Sequence, residues 1–159
     1  MTEPRRSLQS LSPQQTARLA ARLGARLAPG DCLLLDGPIG AGKTHFARAL
    51  IRSRMTVPEE VPSPTFTLVQ TYHTSDAAIW HADLYRLAAP DEIEELGLTE
   101  AFETAICLVE WPDRLGTLAP DGALTVRFAT DPHREDMRRI GFEWTAGRWA
   151  DILEGIADD

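Results

Sequence analysis

The sequence lacks any apolar run close to the roughly 20 residues that are needed to cross a bilayer. Its opening segment, MTEPRRSLQSLSPQQ, also lacks the apolar core of a signal peptide. Both absences predict a cytoplasmic protein without a membrane partner. The formal net charge of -8 opposes indiscriminate binding to DNA or RNA.

Cysteine is scarce and asparagine is missing altogether. The two cysteines, Cys32 and Cys107, lie far apart in apolar runs, so the spacing of a metal or redox pair is absent and reduced core thiols are predicted. Without asparagine there is no N-K-x-D stretch for guanine recognition. Any nucleotide bound by this chain is therefore predicted to carry adenine.

What is present is an ordinary globular composition. The 159 residues are 43% hydrophobic and 25% charged, which argues against wholesale disorder. This length suits one domain with a real core. We therefore predict a single domain over residues 1–159.

The order of helix and strand signals predicts the fold. A capping box at Ser12, with Pro13 at the first helical position, opens a helix that is predicted to run to about Ala28. The apolar run CLLLD predicts a buried strand, and a helix that ends before Pro58 follows it.

Further strands are predicted in TLVQTY, AAIWHAD and AICLVEW, with an acidic helical segment between the last two. The runs LTVRFAT and RRIGFEW predict a hairpin near the end of the chain, and an acidic stretch compatible with a helix follows. The pattern indicates an α/β fold: a three-layer sandwich of the P-loop NTPase type. Its sheet is mostly parallel, with antiparallel additions that include the C-terminal hairpin.

A glycine-rich loop between the first predicted strand and its helix carries the chemistry. It fits G-x-x-x-x-G-K-[ST] at every fixed position, in the strand-to-helix context that this P-loop motif requires. Its backbone N–H groups and the helix dipole favour phosphate oxygens, while lysine is expected at the β and γ phosphates and threonine at magnesium. Lys43 is the one lysine among sixteen basic residues. The predicted nucleotide-binding loop residues are Gly37, Pro38, Ile39, Gly40, Ala41, Gly42, Lys43 and Thr44.

A magnesium site needs a further carboxylate, expected at the carboxyl end of a neighbouring strand. Asp83 and Glu110 each close such a run, and either could serve. His81 lies on the same side of its strand as Asp83, and so it either orients that carboxylate or is a structural histidine. Trp111 is either a wall of the nucleotide site or core, and Thr65 is either a switch residue or plain loop.

Together these stretches resemble the small bacterial ATPase family called TsaE or YjeE, which assists the biosynthesis of threonylcarbamoyladenosine in tRNA. The resemblance is carried by GPIGAGKT, VPSPTFTLVQTY, HADLYRL, EELGLTE and ICLVEWPDRL, in that order. It departs from the family pattern at Pro38 and Ile39, where aspartate and leucine are often found, and at His45, where a second threonine is common. None of these changes removes a phosphate contact, because the loop binds through backbone groups.

The resemblance implies a P-loop domain that binds and hydrolyses ATP with Mg²⁺ and docks on two partner proteins, TsaB and TsaD, and so reaches tRNA only indirectly. The resemblance implies that Lys43 and Thr44 take the P-loop roles and that Glu110 lies at the magnesium. It implies Asp83 as a second functional carboxylate and Thr65 as the switch threonine. Trp111 is implied beside the nucleotide, and Arg134 is the nearest match to a basic hairpin residue.

Three other functions share the loop. A small-molecule kinase could use Asp83 to position an acceptor hydroxyl, but the arginines are scattered and do not form an obvious lid. A guanine-nucleotide switch lacks its recognition motif. A subunit that binds nucleotide without hydrolysis differs only in phosphate release, which a sequence does not decide.

Overall fold

The computed structural model describes residues 5–55, 68–87, 89 and 91–157. The strands are β1 (Arg5–Ser10), β2 (Cys32–Asp36), β3 (Val69–His73), β4 (Ala78–Asp83), β5 (Ile106–Glu110), β6 (Leu124–Thr130) and β7 (Arg138–Glu143). The α-helices are α1 (Pro13–Gly24), α2 (Lys43–Arg54), α3 (Asp91–Glu95), α4 (Leu98–Thr104) and α5 (Arg148–Ala157). A 3₁₀ segment, Pro112–Leu118, follows β5. The predicted proline-rich loop VPEEVPSPTF, with Thr65, lies outside the described residues.

The seven strands form one sheet in the order β1-β7-β6-β2-β5-β4-β3. The four inner strands β6, β2, β5 and β4 are mutually parallel, and β3, β7 and β1 add to the edges in antiparallel pairing. Continuous apolar runs such as CLLLD suit the inner positions because both faces of those strands are covered. The predicted fold class and terminal hairpin are confirmed.

Helices cover both faces of the sheet. Along β2, Leu33 and Leu35 pack with α1, α2 and α5, whereas Cys32 and Leu34 pack with α3 and α4. The alternation follows from the two-residue period of a strand. The predicted three-layer arrangement is therefore present. No helix in the described part of the chain combines the length and the apolarity required to cross a membrane.

Three local features differ from the sequence prediction. Helix α1 ends at Gly24 instead of near Ala28, although Leu27 stays buried beyond its end. The acidic segment forms two short helices instead of one, because Gly97 adopts a left-handed conformation (φ 83°) between them. Strand β1 was not predicted, and it pairs with β7 through a register that runs from Arg5↔Glu143 to Ser10↔Arg138.

The two cysteines are neighbours in space. Cys32 and Cys107 are register partners on the parallel strands β2 and β5, and both thiols are free and buried. Burial raises the pKa of the Cys107 thiol to about 12, and burial is also the main reason why the pKa of Cys32 lies well above its usual value. The prediction of reduced core thiols agrees with this placement.

The inner strands end at a common edge of the sheet. Asp83 is the last residue of β4, and its register partner is Glu110, the last residue of β5. Val109, which precedes Glu110, is the register partner of Leu34 on β2. The glycine-rich loop follows β2 at this same edge. The register thus brings the two predicted carboxylates beside the loop.

Candidate functional site

The loop between β2 and α2 depends on glycine at three positions. Gly37, Gly40 and Gly42 have φ values of 149°, 81° and 105°, which are rarely adopted by residues with a side chain. A Cβ atom on Gly37 would also lie only 2.6 Å from the Phe128 carbonyl oxygen of β6. The other loop side chains point away from one another: Ile39 is 73% exposed, whereas Ala41 is buried in the core.

A cavity of about 560 Å³ opens over this loop. It is large enough for a small-molecule ligand. Predicted site residues that line it include Gly40, Lys43, Thr44, Asp83, Glu110 and Trp111. The structure thus brings the loop and both candidate carboxylates together around one space.

Lys43 begins α2 and its side chain is buried under the loop. Its ammonium donates a hydrogen bond to the Gly37 carbonyl oxygen and lies 3.5 Å from the centroid of the Trp111 ring. Burial lowers the pKa of Lys43, while the surrounding carboxylates, Glu110 first, act in the opposite direction. A cation held between a carbonyl and a ring at the floor of the loop is placed for an anionic ligand.

Glu110 connects the loop helix to β4. The Thr44 hydroxyl donates to Glu110 Oε1 at 2.7 Å, and His81 Nε2 lies 2.7 Å from Glu110 Oε2. Both Glu110 and His81 are buried. The sequence suggested Asp83 as the carboxylate that His81 orients. In the structure, the carboxylate that His81 contacts is that of Glu110.

Asp83 is half-buried and lines the cavity. Its Oδ1 accepts a hydrogen bond of 3.1 Å from the Tyr85 backbone N–H. Burial is the main cause that raises the pKa of Asp83, although the Tyr85 hydrogen bond opposes the increase. A cavity carboxyl with a raised pKa is suited to accept a proton.

Trp111 has a left-handed backbone conformation (φ 58°), the one positive φ among the described non-glycine residues. Such a conformation costs about 1–3 kcal/mol and is kept where neighbouring structure requires it. Here it turns the indole over Lys43, and the Tyr85 ring packs against the indole with ring centroids 4.9 Å apart. Tyr85 was missed by the sequence analysis, although it lies in the quoted stretch HADLYRL.

The arginine that reaches the loop is Arg138. Its guanidinium donates to the Ala41 carbonyl at 3.1 Å and to the Gly40 carbonyl at 3.4 Å. Arg134, which the sequence analysis named, is exposed in the β6–β7 turn, where its backbone N–H bonds to Asp131. The signal that could have identified Arg138 is its position as the first residue of the second hairpin strand.

The residues present fit a nucleotide and its metal. A Cβ on Gly40 would meet no atom within 4 Å, so a phosphate oxygen has room to approach the loop at this residue. Hydroxyl and carboxylate oxygens, as supplied by Thr44 and Glu110, are the donors that Mg²⁺ prefers. Lys43, Thr44 and Glu110 are the residues that would hold these groups.

A parallel-centred sheet with this loop between β2 and α2 defines a P-loop fold of the nucleotide-binding type. A family model described as "Threonylcarbamoyl adenosine biosynthesis protein TsaE" matches residues 10–140. The chain belongs to the TsaE family.

Individual relatives agree. A curated TsaE protein of Rickettsia felis is 46% identical over 100 residues, which cover 63% of this chain and 58% of that relative's length. A curated TsaE protein of Bacillus subtilis is 35% identical over 149 residues, which cover 93% of this chain and 91% of the relative. Among solved structures, a crystal structure of YdiB from Bacillus subtilis superposes with a TM-score of 0.80 at 27% identity and covers 99% of this chain and 97% of that one.

Proposed function

We propose that this chain is a magnesium-dependent ATPase that supports the formation of threonylcarbamoyladenosine in tRNA by acting on the partner proteins TsaB and TsaD. The observation that carries the proposal is the 2.7 Å hydrogen bond between Thr44 and Glu110. It joins the end of the phosphate-binding motif to a strand-end carboxylate, the pair that a nucleotide-bound magnesium requires. The curated relatives are named as tRNA threonylcarbamoyladenosine biosynthesis proteins, which supports the tRNA role.

Each cavity residue has a part in this proposal. The backbone N–H groups of residues 39–44 hold the phosphates, and Lys43 exchanges its contacts with Gly37 and Trp111 for phosphate oxygens. Thr44 and Glu110 would hold Mg²⁺, which would supply positive charge to the phosphates. Asp83 aligns the attacking water, and its raised pKa favours acceptance of a proton.

The free energy of ATP hydrolysis drives a conformational change. Turnover of the nucleotide resets the partner complex, which carries the chemistry on tRNA, and Thr65 is the switch residue that the family resemblance implies. The protein therefore works in the cytoplasm, where tRNA is modified, and contacts tRNA only through that complex.

The proposal is tested by phosphate release from ATP, measured for the pure protein with Mg²⁺ or EDTA and with or without TsaB and TsaD. We expect release that requires Mg²⁺ and increases with the partners. In Glu110→Ala this release falls at least about tenfold. Glu100→Ala, which removes an exposed carboxylate on α4, serves as the matched control and keeps normal release.

Two outcomes would count against the proposal. Transfer of phosphate to an added small molecule, without release in its absence, would indicate a kinase. Unchanged release in Glu110→Ala would show that another group serves the magnesium.

A further inference from the structure

His81 is a fully buried polar residue on β4, and the sheet register places it between Gln70 of β3 and Leu108 of β5. On one face of β4 the side chains are Ile79, His81 and Asp83. Ile79 and Leu108 are fully buried, and so is His81. An imidazole at this depth loses its contact with water, which costs free energy unless its polar atoms are used.

One of those atoms is used, and its partner is Glu110. His81 Nε2 lies 2.7 Å from Glu110 Oε2, while Glu110 Oε1 accepts from the Thr44 hydroxyl. A carboxylate accepts only, so the contact requires that Nε2 carry the hydrogen. His81 Nδ1 is buried and has no hydrogen-bond partner within the described part of the chain.

The two bonds together fix the carboxylate. One bond to Thr44 would leave the Glu110 side chain free to rotate about its terminal torsion, which is a soft, broad torsion. The second bond, from a histidine held by its own packing, removes that freedom. The oxygen that faces Thr44 is thereby kept at the cavity, where the metal ligands must be placed accurately.

We propose that His81 is a positioning residue for Glu110, and that its Nε2–H fixes the carboxylate so that Thr44 and Glu110 are ready for Mg²⁺ before the nucleotide arrives. The inference rests on the proposed function because it concerns the same magnesium site. Its role is separate from phosphate binding, because His81 is fully buried and is not among the residues that line the cavity.

The first test measures the binding of a fluorescent ATP analogue by anisotropy across a range of Mg²⁺ concentrations. In His81→Leu, the Mg²⁺ concentration that gives half of the maximal increase in analogue binding should rise about 10- to 100-fold. The affinity for the analogue in EDTA should stay unchanged. His81→Gln, which restores an N–H donor, should recover most of the wild-type value. Ile79→Val, a buried change on the same face of β4, is the control and keeps the wild-type Mg²⁺ dependence.

A second comparison shows whether His81 acts through Glu110. In a Glu110→Ala background, His81→Leu should add no further change to the Mg²⁺ dependence. Additive effects in the double variant, or a folded His81→Leu protein with wild-type Mg²⁺ dependence, would overturn the proposal.

A measurement on the unaltered protein removes the dependence on the folding of a variant. The ¹⁵N chemical shifts of His81 should report a hydrogen on Nε2. Protonation at Nδ1 alone would contradict the proposal. If the wild-type chain binds the analogue with no dependence on Mg²⁺, the proposed function fails as well. If wild-type binding depends on Mg²⁺ and the His81 variants keep the same dependence, the proposed function stands and this inference fails.

Discussion

The Thr44 hydroxyl and the Glu110 carboxylate are joined by a 2.7 Å hydrogen bond, although 66 positions separate them in the chain. Thr44 is fixed by the first turn of α2, and Glu110 by the end of β5 in the centre of the sheet. Both elements pack into the core through their buried side chains. The candidate metal site is thus built on rigid structure and not on loops.

Lys43→Ala should weaken ATP binding by at least about tenfold, because it removes a charge-assisted contact with phosphate. Isothermal titration calorimetry with ATP and Mg²⁺ measures the loss. Arg52→Ala removes one positive charge from an exposed position on the same helix and is the matched control. Equal weakening by both changes would show that Lys43 acts through net charge and not through direct contact.

Gly37→Ala should lower the free energy of unfolding by about 1–3 kcal/mol. The new Cβ would lie 2.6 Å from the Phe128 carbonyl oxygen, and the φ of 149° is unfavourable for alanine. Urea denaturation measures the change. In Gly141→Ala on β7, where a Cβ meets no atom within 4 Å, stability should stay within about 1 kcal/mol of wild type. Similar behaviour of both variants would refute a steric requirement at Gly37.

Asp83→Asn should be more stable than wild type at neutral pH, measured by urea denaturation in EDTA. Burial raises the native pKa of Asp83 above its ordinary 3.8. The contribution of this carboxyl to the free energy of unfolding is therefore fully present below pH 3.8 and is lost as the pH rises through the native pKa. Asparagine can still accept the bond from Tyr85 N–H, and it avoids burying a charge.

The gain in Asp83→Asn should therefore shrink as pH is lowered toward 3.8. The exposed Asp121→Asn serves as the control, with little change in stability across the same range. A gain that stays constant with pH would contradict the assigned cause.

Both cysteine thiols should resist a thiol reagent at pH 8 in the native protein and react fully in urea. The thiolate is the reactive form, and the raised pKa values of Cys32 and Cys107 keep it rare. The reaction is followed by absorbance, with the unfolded protein as the internal reference. Rapid reaction of one thiol in the native state would show that this part of the sheet is open to solvent.

The sequence was sufficient for features set by local chemistry. The loop motif between a buried strand and a helix predicted the site, and the position of Asp83 and Glu110 at strand ends predicted their common edge, which the register confirms. Apolar runs predicted the central strands β2 and β5, because a strand covered on both faces has no polar side.

Features set by distant pairing could not be read from the sequence. Strand β1 carries one large apolar residue, Leu8, and is a strand because β7 offers it an edge. The partner of His81 depends on the parallel register of β4 and β5, which places Glu110 diagonally across from it. Arg138, instead of Arg134, meets the loop because the hairpin register sets where the second strand begins.

The central claim is that the loop holds a triphosphate whose metal is shared by Thr44 and Glu110. A crystal structure with Mg²⁺ and a non-hydrolysable ATP analogue tests it most directly. We expect the phosphates against the backbone N–H groups of residues 39–44 and the metal beside Thr44, with Glu110 facing it directly or through one water molecule. A bound analogue elsewhere on the protein, or Glu110 turned away from the metal, would contradict the account.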